Sequence, residues 1–99
     1  MGSGMPKISM YSTEFCPYCQ MAERLLISKG IVEIDKVRVD LDPARRVEMR
    51  ERTGRRTVPQ IYIGETHVGG YEDLAALDRA GILNDLLRVQ SVKSAQEES

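Results

Sequence analysis

The stretch Lys7-Ile8-Ser9-Met10-Tyr11-Ser12-Thr13-Glu14-Phe15-Cys16-Pro17-Tyr18-Cys19-Gln20-Met21-Ala22 decides the fold. Residues 7–11 alternate loosely in polarity and stop at Ser12-Thr13, the pattern of a short strand. Pro17 suits the first position of a helix, where its missing N–H costs nothing. Beyond it Ala22, Leu25 and Leu26 recur at helical spacing, with Glu23, Arg24 and Lys29 on other faces. Gly30 is a C-terminal stop, so the helix is expected over residues 17–29. A strand, two cysteines three positions apart, and a helix therefore follow one another directly.

The chemistry of that pair follows from its place. The thiolate, not the thiol, is the nucleophile, and an unperturbed cysteine with a pKa of about 8.5 is mostly protonated at neutral pH. A helix N-terminus carries about half a positive charge and several free N–H groups. Cys16 stands at that end, where a thiolate is stabilised. Cys19 lies one turn further in, faces the same way, and can attack a mixed disulfide formed on Cys16. Pro17 stiffens the turn between them. A merely structural pair of thiols is the bland alternative, and the strand–CxxC–helix context argues against it. A structural zinc site needs four ligands, and His67 is the one other soft candidate, so no metal is expected.

Outward from this stretch, Val37, Val39 and Leu41 alternate with Arg38 and Asp40 and read as a second strand over residues 37–41. Asp42-Pro43 is an N-cap followed by a proline at the first helical position, opening a charged helix to Arg52 that Gly54 ends. Residues 60–63 form a third strand, Gly64-Glu65 a two-residue turn, and residues 66–68 its return strand. After Gly69-Gly70, Leu74 and Leu77 mark a third helix ended by Gly81, and Ile82, Leu83, Leu86 and Leu87 a short fourth one. The order β-α-β-α-β-β-α-α predicts an α/β fold. Its sheet is mixed and four-stranded, with the first two strands parallel, the last two a hairpin, and helices on both faces.

The 99 residues argue for one domain. Met1-Gly2-Ser3-Gly4 ahead of Met5 reads as a cloning scar, residues 5–89 as the domain, and the polar residues 90–99 as a disordered tail. A formal net charge of -1 gives no footing for nucleic-acid binding, and no apolar run approaches the length of a membrane helix. Two close cysteines, rather than several spaced ones, fit a redox centre in a reducing, cytoplasmic compartment.

With these features in order, the chain resembles the glutaredoxins, within the thioredoxin-like superfamily. The resemblance spans residues 6–88. It rests on Cys16-Pro17-Tyr18-Cys19 after the first strand, Thr57-Val58-Pro59 before the hairpin, Gly69-Gly70 after it, and Glu72-Asp73-Leu74 opening the third helix. It implies a glutathione-dependent thiol–disulfide oxidoreductase that reduces protein disulfides and glutathione mixed disulfides. Glutathione is the co-substrate, disulfide-containing or glutathionylated proteins are the partners, and the chain works as a monomer. Cys16 would be the nucleophile and Cys19 the resolving thiol. Tyr18 would flank glutathione. Pro59 would follow a cis peptide bond and expose the Val58 backbone to pair with the tripeptide, with Thr57 nearby. Gly70, Tyr71 and Glu72 would offer backbone N–H groups to the γ-glutamyl carboxylate.

Two positions depart from the family pattern. Thr13 stands where a lysine is common, and Tyr71 where Cys or Ser is. Arg55 or Arg56, just before Thr57, is expected to take over part of the anion binding that the lysine would supply. The run Arg45, Arg46, Arg50, Arg52, Arg55 and Arg56 otherwise reads as a solvated helix face with i,i+4 pairs, and His67 as structural. Pro17 disfavours the alternative of a [2Fe–2S] carrier. The absence of Trp, and Pro17-Tyr18 in place of Gly-Pro, disfavours a thioredoxin proper.

Overall fold

The computed structural model describes residues 7–91, with side chains as far as Leu87. Eight elements follow one another: β1 (Ile8–Ser12), α1 (Pro17–Ser28), β2 (Ile34–Arg38), α2 (Pro43–Thr53), β3 (Gln60–Ile63), β4 (Thr66–Gly69), α3 (Tyr71–Arg79) and α4 (Ile82–Ser91). The strands lie in the order β2-β1-β3-β4, with β1 and β2 parallel and the other pairings antiparallel. This is the expected mixed four-stranded sheet.

Strand alternation assigns the helices to their faces. Ile8 and Met10 of β1 and Ile61 and Ile63 of β3 join one buried cluster with Ala22 and Leu26 of α1, Leu74 of α3, and Leu83 and Leu87 of α4. Tyr11 and Tyr62, one residue out of phase, join the other with Met49 of α2 and Val39. Three helices therefore cover one face and α2 the other.

The second cluster has a charged margin. The Tyr11 hydroxyl donates to Glu48 Oε2 at 2.5 Å and accepts from Arg52 Nη1 at 2.8 Å, and the Arg52 guanidinium stacks 4.3 Å from the centre of the Tyr62 ring. Part of the arginine run thus fastens α2 to the sheet, besides the Arg45–Glu48 pair along the helix at 2.8 Å.

Local signals set the helix ends. Asp42 caps α2 by accepting from the Ala44 N–H at 3.0 Å, and Gly54 closes it in the left-handed conformation, φ 74°. The β3–β4 turn starts at Gly64 with φ 61°, as a type II′ hairpin turn requires.

One element lies elsewhere than expected. The second strand runs over Ile34–Arg38, because its parallel register with β1 begins at Ile8↔Ile34 and ends at Ser12↔Arg38. Val39 to Leu41 form a turn, and Leu41, read as a strand residue, is exposed. The alternation misled because β2 is an edge strand with little buried side-chain surface. Val39 is buried all the same, in the α2-side cluster, and its N–H adds one more bond to Ser12 O at 2.9 Å. In α4 the helix includes Gln90 and Ser91, and Ile82 is exposed. The expected scar at residues 1–4 and the rest of the expected tail lie outside the described residues.

Leu26 is fully buried in the larger cluster, whereas its neighbour Ile27 is exposed. Leu26→Ala is expected to cost about 2–5 kcal/mol in urea unfolding, and Ile27→Ala less than about 0.5 kcal/mol. Equal losses would place the α1 core face elsewhere.

Candidate active site

The sheet collects four loops at one of its ends. Parallel β1 and β2 both finish there, β3 starts there with Gln60 opposite Tyr11, and β4 finishes there with Gly69 opposite Ile61. In sheet order the loops are 39–42 after β2, 13–16 after β1, 57–59 before β3, and Gly69-Gly70 before α3.

Cys16 and Cys19 are buried and joined as a disulfide, their Cα atoms 5.2 Å apart. Cys16 is the N-cap of α1, with extended backbone, φ -139° and ψ 97°, and Pro17 opens the helix. The Cys16 sulfur accepts the Cys19 N–H at 3.1 Å, where a Ser or Asp oxygen sits in an ordinary N-cap. A thiolate formed at this atom by reduction would meet a backbone donor and the positive end of a helix. The same sulfur lies 3.9 Å from Val58 O. The Val58-Pro59 bond is cis. Val58 is half-buried, Pro59 buried, and Thr57 exposed.

A polar relay holds the Thr57–Pro59 loop from behind. Gln60 is fully buried and donates through Nε2 to Thr57 O at 3.0 Å and Thr57 Oγ1 at 3.4 Å. Its Oε1 then faces His67 Nε2 at 2.8 Å, so that ring nitrogen carries the proton. The ring packs on Tyr62, centroids 5.0 Å apart. Burial, and then the nearby Arg55 charge, push the His67 pKa below its ordinary value of 6.5. His67 thus acts structurally, through Gln60.

On the far side, Asp73 Oδ2 accepts from the Gly70 N–H and from Arg55 Nη1, both at 2.9 Å. The Gly70 N–H, and then Arg55, hold the Asp73 carboxyl below the usual carboxylate range. Gly69 has φ 114°, and a Cβ there would fall 2.3 Å from Asp73 Oδ2, so neither the backbone nor the carboxylate leaves room for a side chain. Glu72 is exposed on the first turn of α3. Tyr71 turns its ring onto Tyr18, centroids 6.1 Å apart, joining the starts of α1 and α3.

All nine sequence-predicted residues, Cys16, Tyr18, Cys19, Thr57, Val58, Pro59, Gly70, Tyr71 and Glu72, thus stand on loops or helix starts at this one end. The two arginines diverge. Arg55 joins the start of α3, and Arg56 lines a depression with Arg50 and Glu51. Thr13 is half-buried in the loop between β1 and Cys16. Sequence reasoning missed the roles of Asp73 and Gln60. An acidic residue three positions after an N-cap signals the first; no local pattern signals the second. Among the described residues, no group of three or more His, Cys, Asp and Glu is placed to hold a metal ion, and no helix is long and apolar enough to cross a membrane.

A family model described as Glutaredoxin matches residues 8–68. A glutaredoxin of Neisseria meningitidis serogroup A is 52% identical over 83 residues, 84% of this chain and 98% of that protein. The solution structure of a Brucella melitensis glutaredoxin superposes with a TM-score of 0.75 at 44% identity, covering 87% of this chain and 92% of the other. The crystal structure of a buckwheat glutaredoxin–glutathione complex gives 0.75 at 28% identity, covering 84% and 76%.

Two outcomes test this geometry. Gly69→Ala is expected to destabilise the protein by about 2 kcal/mol or more in chemical unfolding, through strain at positive φ and displacement of Asp73; an unchanged midpoint would contradict the crowding. Between the lowered His67 pKa and 6.5, the unfolded chain binds a proton that the native chain refuses, so stability falls as pH drops through that window. His67→Gln keeps a neutral donor to Gln60 and is expected to flatten that part of the stability–pH curve. Identical slopes in both proteins would mean that His67 titrates normally.

Proposed function

The chain belongs to the glutaredoxin family, and on that footing we propose that it reduces protein disulfides and glutathione mixed disulfides with glutathione as the reductant. Family membership carries thiol–disulfide oxidoreductase activity. The observation that carries the finer reading is the Cys16 sulfur itself. It caps α1, receives the Cys19 N–H, and faces Val58 O in the loop before β3.

In this reading the Cys16 thiolate attacks the glutathione sulfur of a glutathionylated protein. The substrate S–S bond breaks, a Cys16–glutathione disulfide forms, and the protein leaves as a thiolate that takes a proton from solvent. A second glutathione thiolate attacks the bound glutathione sulfur, releasing oxidised glutathione and restoring the Cys16 thiolate. Alternatively Cys19 attacks Cys16 and expels glutathione, leaving the Cys16–Cys19 disulfide. With a protein disulfide, Cys16 forms the mixed disulfide with one protein sulfur. Cys19 then releases the protein as a dithiol, and two glutathiones reduce the Cys16–Cys19 bond.

Glutathione would lie along Thr57, Val58 and Pro59, its main chain pairing with the Val58 backbone as an added strand, and the Tyr18 ring alongside. Its γ-glutamyl carboxylate would meet the start of α3. The Gly70 N–H is already given to Asp73, so Tyr71 and Glu72, whose N–H groups have no intrahelical acceptor, would be the main donors. The buckwheat complex with glutathione supports this class of ligand. Arg55, beside the same helix start, is the arginine we assign to the anion, in place of the lysine absent at Thr13. A reducing cytoplasmic setting, where glutathione is reduced, suits a chain that acts as a monomer on disulfide-containing and glutathionylated proteins.

The test is a turnover assay with the glutathione mixed disulfide of 2-mercaptoethanol, reduced glutathione, glutathione reductase and NADPH. Cys16→Ser is expected to abolish turnover. Cys19→Ser should keep it but lose reduction of a protein disulfide; equal loss in both variants would overturn the division of roles. Arg55→Ala should raise KM for the mixed disulfide by about three- to fivefold, the scale of an exposed ion pair. An unchanged KM would remove Arg55 from the site.

A further inference from the structure

Apart from Tyr18, which stands between the two cysteines with its ring against Tyr71, the proposed glutathione features lie to one side of the disulfide. In the sheet order β2-β1-β3-β4, the loops bearing Thr57, Val58, Pro59 and Gly70 belong to β3 and β4, while Cys16 follows β1. On the opposite side, toward β2, stand two large apolar side chains. Phe15, the chain's one phenylalanine, is 87% exposed and immediately precedes Cys16, and Leu41 is 71% exposed in the turn after β2.

A lone exposed apolar residue is unremarkable on a protein surface. These two differ in how they are held. The Glu14 N–H donates to Asp40 Oδ2 at 3.3 Å, and Val39 N–H to Ser12 O at 2.9 Å, so the two loops are bonded to each other. Arg38 grips both Asp40 oxygens at 2.7 Å and reaches Glu14 Oε1 at 3.5 Å. Phe15 is therefore fixed between bonded Glu14 and the helix cap Cys16, and Leu41 between bonded Asp40 and the helix cap Asp42. Their backbones are ordered in advance, which lowers the entropy cost of binding across them. Arg38 pairs closely with Asp40 and loosely with Glu14, so this side offers the two apolar side chains above a base with one carboxylate in excess.

From this we infer that Phe15 and Leu41 form a docking surface for the polypeptide half of the substrate disulfide, and that they favour apolar residues beside the substrate cysteine. The occupant follows from the proposed reaction, on which the inference rests. A mixed disulfide has a glutathione half and a protein half joined at the sulfurs. With the first half on the β3–β4 side and the attacked sulfur at Cys16, the second half extends over the loops of β1 and β2. A segment lying there covers Phe15 first and Leu41 next.

Two glutathionylated synthetic peptides of equal length test this, identical except that one carries Leu and the other Ser on both sides of the cysteine. Wild type is expected to show a kcat/KM about tenfold higher for the Leu peptide, the scale of partly burying one or two apolar side chains. In Phe15→Ser/Leu41→Ser the ratio should fall close to one. Turnover of the 2-mercaptoethanol mixed disulfide, which has no polypeptide to dock, should stay as in wild type. Equal rates on both peptides with wild type, or a preference that survives in the double variant, would overturn the inference while leaving the glutathione reading intact. A parallel loss on all three substrates would also overturn it, because these residues would then be acting on the thiol. No turnover of any substrate by wild type would instead sink the glutathione reading, and this inference with it.

Discussion

Everything at this end of the molecule hangs on one hydrogen bond, from the Cys19 N–H to the Cys16 sulfur at 3.1 Å. It is a helix cap and the environment of a reactive atom at once. The first N–H groups of any helix lack intrahelical partners, and a side-chain acceptor at the N-cap ordinarily contributes about 1 kcal/mol. Here sulfur takes the place of the usual oxygen. The donor that starts α1 is thus the donor that would face a thiolate, and the helix cannot begin elsewhere without moving both cysteines. Pro17, with no N–H to satisfy, holds that starting point.

The rest of the fold supplies neighbours to that sulfur. Because β1, β2 and β4 run one way and β3 the other, three strand ends and one strand start converge on a single edge, and α3 opens directly after β4. The edge has two characters. Toward β4 it is built of backbone donors, glycines and a capped helix start, suited to a small anionic ligand. Toward β2 it is two salt-bridged loops carrying apolar side chains. The disulfide stands between the two, where the halves of a mixed disulfide would part.

Buried polar groups hold these loops in place. Gln60 is enclosed, and an amide left without partners there would cost on the order of 1–3 kcal/mol. Its bonds to Thr57 and His67 remove that cost and couple the loop before β3 to strand β4. Asp73 does the same on the other side, joining Gly70 to Arg55 and so the start of α3 to the segment after α2. Gly69 is required by that arrangement, since a side chain there would collide with the Asp73 carboxylate.

Much of this was legible in the residues. The strand–CxxC–helix order, Pro17 and Pro43 at helix starts, Asp42 as a cap and Gly64-Glu65 as a hairpin turn are local signals, and local backbone physics enforces each of them. The reactive pair was legible for the same reason, because a helix end makes its own electrostatic environment. The position of β2 was not. An edge strand buries too little for its alternation to mark its ends, and pairing with β1 decided its register. Nor does any sequence spacing bring Tyr71 to Tyr18, Gln60 to His67 and Thr57 together, Arg55 rather than Arg56 to Asp73, or Phe15 beside the turn that holds Leu41. By itself the chain determined which groups could react, since their chemistry depends on neighbours within one helical turn. The tertiary structure alone decided what surrounds them, because contacts such as Tyr18–Tyr71 and Glu14–Asp40 join residues far apart in the chain, and even the shorter reach from Gln60 to His67 exists only once β3 and β4 have paired.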